Sequence, residues 1–298
     1  MDLTFAIPMY NEEEVAGETV TRVLKAGVDS GRRFEVLAVD DGSTDGTARV
    51  LAELAATHEH FRWVQLRPNC GQPAASKAGM LAARGRMVAV LDADLQTPPE
   101  LVPRLADRLE QAGPETVAVF GTTSTAHRDD PARLMAGQAV FYFLQTRLSR
   151  SPIPHGASSF FVMRADTARH VAGLRFTKGN VGAVLAALGL SMESVGYEKP
   201  ASYREESRLG LRGHVEEGLG SLALTGALTR CAAATVAAGL GAVALTRRGP
   251  LARGGLATAG LGLLGLGAAE GFARRSLTDS PAPLPVHPGE PGAGGGPV

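Results

Sequence analysis

Strand-like and helix-like patterns alternate through roughly the first 125 residues, and this alternation constrains the fold more than any other feature of the chain. Leu3–Pro8 reads as a strand that stops at its proline. Asn11 reads as a helix N-cap, with Glu12, Glu13 and Glu14 in the first turn, where the helix dipole favours acids. Val15, Thr19, Val20, Val23 and Leu24 then give that helix one apolar face. Phe34–Asp40 is an apolar run closing on acids, as a buried parallel strand does. The pattern repeats with a helix over Thr44–Thr57, a strand over Arg62–Leu66 and a helix over Ala74–Arg84. Met87–Leu91 is a second buried strand closing on acids, at Asp92 and Asp94. Pro98–Gln111 reads as a helix with prolines at its start, and Thr116–Gly121 as a fifth strand. Strands that alternate with helices predict an α/β fold, a mostly parallel sheet with helices on both faces.

The rest of the chain divides by composition. Residues 126–205 are less regular, with helices expected over Pro131–Ser149 and Gly179–Leu190 and a strand over Ser158–Met163. Leu219–Leu245 and Gly254–Phe272 are rich in Ala, Gly, Leu and Val, with Arg230 interrupting the first. Its charge-free part, 231–245, is 15 residues, or about 22 Å of helix against a hydrocarbon core of about 30 Å. Residues 206–230 then read as a juxtamembrane segment and 231–275 as two hydrophobic, membrane-associated helices. A buried Ala/Gly-rich hairpin is the alternative. The small residues of that hairpin also suit helix packing between protomers. Residues 276–298 hold 6 Pro and 5 Gly, a composition expected to stay disordered.

Charge and cysteine content narrow the function classes. The 30 basic and 30 acidic residues cancel, which argues against nucleic-acid binding by phosphate neutralisation and against a polybasic membrane-surface role. Two cysteines, Cys70 and Cys231, exclude a disulfide-stapled scaffold and a Cys-based zinc site. No basic-then-apolar segment opens the sequence, so no signal peptide is expected and a reducing, cytosolic setting fits the N-terminal part.

Four polar segments fall at the ends of expected strands, where an open α/β sheet places its ligands. They are Ile7–Glu12 (IPMYNE), Val39–Thr47 (VDDGSTDGT), Arg67–Gln72 (RPNCGQ) running on to Lys77 and Gly79, and Leu91–Glu100 (LDADLQTPPE). The carboxylates of Asp92 and Asp94 are hard oxygen donors in low number. Such a pair suits Mg²⁺ or Mn²⁺, which keep waters and bind substrate phosphates. Asp41, just past a buried strand, is placed to accept a hydrogen bond from a nucleobase or a ribose hydroxyl. Taken singly, the acid pair reads more readily as a capped or solvated loop, the Asp41–Thr47 string as turn chemistry and Lys77 as a solvated helix charge. Their order and spacing, one strand–helix unit apart, favour a common site.

The set PMYNEE, VDDGSTDGT, NCGQPAASKAGM and LDADLQTPPE resembles the family 2 glycosyltransferases of GT-A fold. More narrowly it is similar to the polyprenyl-phosphate glycosyltransferases. The resemblance is strongest over residues 3–110 and returns at AAEGFARR, residues 268–275. It implies a GT-A domain over residues 1–205. Pro8, Tyr10, Glu12, Asp41 and Lys77 would hold the donor nucleotide. Asp92, Asp94 and Gln96 would be the catalytic group, with Asp94 and Asp92 holding the metal, Mg²⁺ or Mn²⁺, and Gln96 beside the sugar. Arg128, Arg204 and Ser207 would meet the acceptor phosphate. The implied enzyme is inverting, moves a sugar from a UDP- or GDP-sugar to a polyprenyl phosphate, and works at the cytoplasmic face of the cell membrane.

The acceptor half departs from that pattern. Thr123 stands where an arginine is expected, and the stretch Gly156–Phe161 has serine where an aspartate is expected. Two other readings therefore stay open. One is transfer to a hydroxyl acceptor, for which His155 is a candidate base. The other is a non-catalytic protein that binds nucleotide-sugar at the membrane.

Overall fold

A computed structural model describes residues 1–123, 151, 153–154, 156–174, 181–198 and 287–288. The helix expected over Pro131–Ser149, residues Arg128, His155, Arg204 and Ser207, and both hydrophobic stretches lie outside the described residues. Among the described residues, no helix is long and apolar enough to cross a membrane.

The strand–helix alternation is present. In chain order the elements are β1 (Leu3–Met9), α1 (Ala16–Asp29), β2 (Phe34–Asp40), α2 (Thr47–Thr57), β3 (Phe61–Gln65), α3 (Gln72–Ala82) and β4 (Met87–Val90). A short 3₁₀ turn (Pro99–Leu101) leads into α4 (Val102–Gln111), followed by β5 (Thr116–Thr123). Then come β6 (Ala157–Arg164), α5 (Ala165–Gly173), α6 (Val181–Ala187) and β7 (Ser191–Tyr197), and a two-residue strand, β8 (His287–Pro288). The sheet order is β7-β5-β6-β4-β1-β2-β3-β8.

Alternate side chains along each strand serve opposite faces. Leu3, Phe5, Ile7 and Met9 of β1, with Val36 and Ala38 of β2, pack into one cluster with Val20 and Val23 of α1 and Leu105 and Leu109 of α4. On the other face Leu37, Val39 and Val64 meet Ala75 and Ala78 of α3, and Val88, Phe120 and Phe161 meet Ala168 and Val171 of α5. β2 is buried along its whole length, as its unbroken apolar run predicts. Gly79 of α3 allows close packing on β1: a Cβ there would lie 3.0 Å from the Ala6 methyl.

The structure departs from the sequence expectation in three places. First, the sheet is mixed. β1, β2, β3 and β4 are parallel, as are β5 and β7, but β6 runs antiparallel between β4 and β5. Second, α1 begins at Ala16, not at an Asn11 cap. Asn11 is left-handed, with φ +53°, a conformation asparagine tolerates better than most residues. The Glu12 carbonyl accepts from the Val15 and Ala16 N–H groups instead. Third, α2 begins at Thr47 rather than Thr44, because Asp45 turns its carboxylate back onto the Thr47 N–H at 3.0 Å. Helix α5 and strand β7 carried no strong periodic signal and were not anticipated.

Candidate active site

β2 and β3 lie on one side of β1 and β4 on the other, so the strand order reverses direction between β1 and β4. Ligands of open α/β sheets bind beyond the carboxyl ends of the strands at such a switch point. Three of the four polar segments leave strands there, after β1, β2 and β4, and the fourth leads from β3 into α3.

The first two loops are tied together. The Asn11 N–H donates to Ser43 Oγ at 2.9 Å, and Asn11 Oδ1 accepts from the Thr44 N–H at 2.9 Å. The Glu12 N–H donates to Thr47 Oγ1 at 2.9 Å and the Gly46 N–H to a Glu13 carboxylate oxygen at 2.9 Å. Asn11 and the acids after it therefore brace the neighbouring loop rather than start a helix. Pro8 lies opposite Val39 in the buried β1 ladder, which runs one residue past the expected proline stop to Met9 opposite Asp40; Glu12 is buried and Tyr10 exposed just beyond.

The Asp40–Asp41 pair is divided by function. Asp40 has a protein partner on each oxygen: Oδ1 accepts from the Ser43 N–H at 3.0 Å and Oδ2 from Gln65 Nε2 at 2.7 Å. Asp41 is only 1 % exposed, and its Oδ1 accepts from the Cys70 N–H at 2.8 Å. Its Oδ2 is buried with no hydrogen-bond partner among the described residues. Burial raises the Asp41 carboxyl above its ordinary range. Backbone N–H groups of Cys70 and Gly71 oppose this, and the Asp40 charge adds to it. Gly42 follows at φ +69°, where an added Cβ would lie 2.9 Å from the Asn69 nitrogen, so only glycine closes this turn.

The acid pair follows β4. Thr19 Oγ1 of α1 donates to the Ala93 carbonyl at 2.7 Å and so fixes the backbone between the two acids. Asp92 accepts from Gln72 Nε2 and from Ser159 Oγ, each at 2.7 Å, one on each carboxylate oxygen. Asp94 Oδ1 accepts from the Gln96 N–H at 3.0 Å. That return is made through Leu95, buried and left-handed at φ +60°, a conformation that costs a non-glycine residue about 1–2 kcal/mol. Strained backbone of this kind clusters at functional sites. Tyr197, at the end of β7, is half-buried. Burial first, then the charges of Asp92 and Asp94, push its phenol up to about 12, so it stays protonated. Its ring meets Phe160 edge-on, centroids 5.7 Å apart.

A divalent ion fits this donor set. Two carboxylates on one short turn, with water and a substrate diphosphate completing the sphere, is an arrangement Mg²⁺ and Mn²⁺ accept. A carboxylate has about four acceptor positions, more than the two that Gln72 and Ser159 take on Asp92. Among the described residues no group of three or more His, Cys, Asp and Glu side chains is arranged to hold a metal ion.

The geometry brings Pro8, Tyr10, Glu12, Asp41, Asp92, Asp94 and Gln96 to one edge of the sheet. Lys77 is placed differently. It lies in the middle of α3, where its Nζ donates to the Leu174 carbonyl at 3.0 Å and burial lowers its ammonium to about 8. Three neighbours of the acid pair were not singled out as site residues from the sequence: Gln72, Ser159 and Tyr197. The last two reach it through β6 and β7, whose positions in the sheet no local pattern encodes.

Acid-bearing loops at the switch point of an open sheet define an α/β protein that binds its ligand at the carboxyl edge. The family described as glycosyl transferase family 2 matches residues 4–171, more than half of the chain. The chain belongs to that family. Among its relatives is the undecaprenyl-phosphate 4-deoxy-4-formamido-L-arabinose transferase of Pectobacterium carotovorum, 36% identical over 156 residues. That match covers 52% of this chain and 46% of the relative, so the chain spans about half the length of the curated relatives it matches. The fold is similar to mannosyl-3-phosphoglycerate synthase from Rubrobacter xylanophilus, with 18% identity, a TM-score of 0.54, and 78% of this chain and 75% of that chain covered. It is also similar to glucosyl-3-phosphoglycerate synthase from Mycobacterium tuberculosis, solved in complex with Mn²⁺, UDP and phosphoglyceric acid. There the identity is 19%, the TM-score 0.55, and the coverage 77% of this chain and 78% of that chain. These likenesses show a GT-A-like α/β fold.

Proposed function

We propose that this chain is an inverting glycosyltransferase that moves a sugar from a nucleoside-diphosphate sugar to a polyprenyl phosphate. The observation that carries the reading is Asp41, a buried carboxylate with one oxygen lacking a protein partner, on the same sheet edge as Asp92 and Asp94. A buried acceptor of this kind calls for a ligand N–H or O–H. β2 and β4 flank β1, so the two acidic loops are about 10 Å apart across the sheet, given strand spacings near 4.8 Å. That separation suits a nucleobase at Asp41 and a diphosphate at Asp92 and Asp94, with the ribose between.

The residues divide the work accordingly. Asp41 accepts from the base, Pro8, Tyr10 and Glu12 line the nucleoside side, and Gln96 lies toward the sugar. Asp94 and Asp92 would hold Mg²⁺ or Mn²⁺, which supplies positive charge to the departing diphosphate. An acceptor phosphate oxygen forms a bond to the anomeric carbon as the bond from that carbon to the diphosphate breaks. The electron pair of the broken bond leaves with the nucleoside diphosphate. A phosphate monoester has a second pKa near 6, so it is ionised at neutral pH and needs no general base. The relative from Pectobacterium carotovorum, named for undecaprenyl phosphate, supports the acceptor class, and the Mn²⁺ and UDP of the Mycobacterium tuberculosis neighbour support the donor side. The acceptor contacts assigned to Arg128, Arg204 and Ser207, the membrane hairpin at 231–275 and a cytoplasmic catalytic face complete the proposal.

The test is a transfer assay on the detergent-purified full chain, with a panel of UDP- and GDP-sugars, Mn²⁺, and undecaprenyl phosphate present or absent. Nucleoside diphosphate release that depends on the lipid phosphate is the expected result. Release that ignores the lipid, or that depends on a hydroxyl or phosphoglycerate acceptor, overturns the acceptor assignment. Binding of donor with no release under any condition overturns the catalytic reading.

A further inference from the structure

The antiparallel course of β6 dictates what stands beside the acid pair. β6 pairs with β4 in a register that matches Met87 with Arg164, Val88 with Met163, Ala89 with Val162 and Val90 with Phe161. Position numbers rise along one strand as they fall along the other, so two steps past Val90, at Asp92, the facing residue is Ser159. Residues two apart share a face, so the Asp92 and Ser159 side chains repeat the juxtaposition of Val90 and Phe161. The contact is made: Ser159 Oγ donates to Asp92 Oδ2 at 2.7 Å. The other oxygen, Oδ1, accepts from Gln72 Nε2 at 2.7 Å. Gln72 is the first residue of α3, and the chain enters that helix through Gly71 at φ +86°.

Both donors are neutral, and they come from two different elements. An aspartate on a partly exposed turn otherwise samples several rotamers, and it lies two residues from a second carboxylate that repels it. A lysine or arginine in either place would hold Asp92 but cancel its charge. An amide and a hydroxyl hold it and leave the charge intact. A carboxylate can accept about four hydrogen bonds, so the clamp by two donors does not by itself exhaust it. Among the described residues Asp94 has no such clamp: its one hydrogen-bond partner there is the Gln96 N–H of its own turn.

We propose that Gln72 and Ser159 are positioning residues that lock the Asp92 carboxylate in one orientation beside Asp94, so that the pair meets a cation and diphosphate already aligned. The inference rests on the donor-site reading above and deepens it. It also gives the serine in Gly156–Phe161 a role, since a carboxylate at 159 would lie against Asp92 as a like charge.

The experiment is a Mn²⁺ titration of the full chain in the presence of UDP, with free Mn²⁺ followed by electron paramagnetic resonance. Ser159→Ala and Gln72→Met each remove one donor at similar bulk, while Ser159→Thr keeps the hydroxyl on a strand that favours β-branched residues. Partners that orient metal ligands typically contribute 10–100-fold to metal affinity. Ser159→Ala and Gln72→Met are therefore expected to weaken Mn²⁺ binding about 10-fold or more, and Ser159→Thr to restore it to within about 3-fold, with thermal unfolding unchanged. A purely structural role would lower unfolding temperature without this pattern. If both variants fold and bind Mn²⁺ as the wild type does, the positioning role is overturned while the donor site stands. If Ser159→Ala fails to fold, Gln72→Met and Ser159→Thr decide the same question. If the wild type with UDP binds no Mn²⁺, the donor-site reading falls, and the inference with it.

Discussion

The two ends of the central strands handle buried charge in opposite ways. At the amino edge, Glu35 of β2 is buried and fully engaged. It accepts from Thr4 Oγ1 at 2.7 Å, from the Arg84 N–H at 2.7 Å and from Arg62 Nε at 2.8 Å, and Thr4 Oγ1 in turn accepts from the Gly85 N–H at 2.9 Å. Burial alone would raise the Glu35 carboxyl, but the Arg62, Thr4 and Arg84 hydrogen bonds outweigh it and leave it lowered. At the carboxyl edge of the same strand, Asp41 is equally buried but keeps one oxygen without a partner, and its carboxyl is raised. The first acid is held by the fold, while the second keeps an unmet acceptor, the one proposed above to meet a ligand. Helix α3 touches both regions: Gln72 at its start reaches Asp92, and the Ala82 carbonyl at its end accepts from the Arg62 guanidinium.

This contrast separates variants that damage function from variants that damage stability. The largest effect is expected from Asp94→Ala. Removing a group that stabilises charge at a reacting centre typically costs 10²–10³ in rate, so kcat for sugar transfer should fall about that much. Thermal unfolding should be unchanged, because Asp94 braces only its own turn. A loss of folding would put Asp94 with the structural end of the sheet. Next is Arg62→Met at the amino edge, which strips the buried Glu35 of its cation. Breaking such a pair costs about 3–5 kcal/mol, and the lower end applies because Arg62 is partly exposed. Chemical denaturation should show this loss, and UDP affinity measured by calorimetry should not change.

Asp41→Asn comes third. It replaces an acceptor that faces the base with a group that is half donor, and a hydrogen bond to a charged group contributes about 1.5–3 kcal/mol, so UDP affinity should fall at least about 10-fold. The same variant should be no less stable than wild type without nucleotide, since it removes a buried charge. The smallest effect is the response to pH. Glu35 is lowered in the folded protein, so the unfolded chain binds its proton first, and the stability it contributes is lost as pH falls through its folded value. Asp41 is raised, so the folded chain binds its proton first and stability without nucleotide declines as pH rises through that window. UDP affinity should therefore weaken on acidification at a pH above the ordinary aspartate range, and Asp41→Asn should abolish that step. A wild-type profile flat across that window would break the assignment of Asp41 to the base.

Much of this molecule was legible in local sequence. β2 runs over Phe34–Asp40, as its unbroken apolar run announced, and of the expected apolar face Thr19, Val20 and Val23 are buried in α1, Leu24 is partly buried and Val15 is buried just before the helix. The boundaries that failed did so for one reason. Asn11 and Thr44 are good caps by composition, but in the fold their side chains bridge two loops, while Asp45 serves both loops, taking the Glu13 N–H on one oxygen and the Thr47 N–H at the start of α2 on the other. The acids of the candidate site were visible because each ends a strand, and a strand end in a parallel sheet is a site by topology.

The sequence by itself determined the strand–helix order, the apolar faces and the acids that close each strand, because those depend on neighbours within a few residues. The tertiary structure alone decided which acid is satisfied and which is open. Asp40 and Asp41 are adjacent and identical in type, yet one is closed by Gln65 and Ser43 and the other lacks a partner on Oδ2. It also decided that Ser159 faces Asp92, because a strand inserted antiparallel between β4 and β5 sets that register across 67 positions of chain, a distance no local pattern reaches.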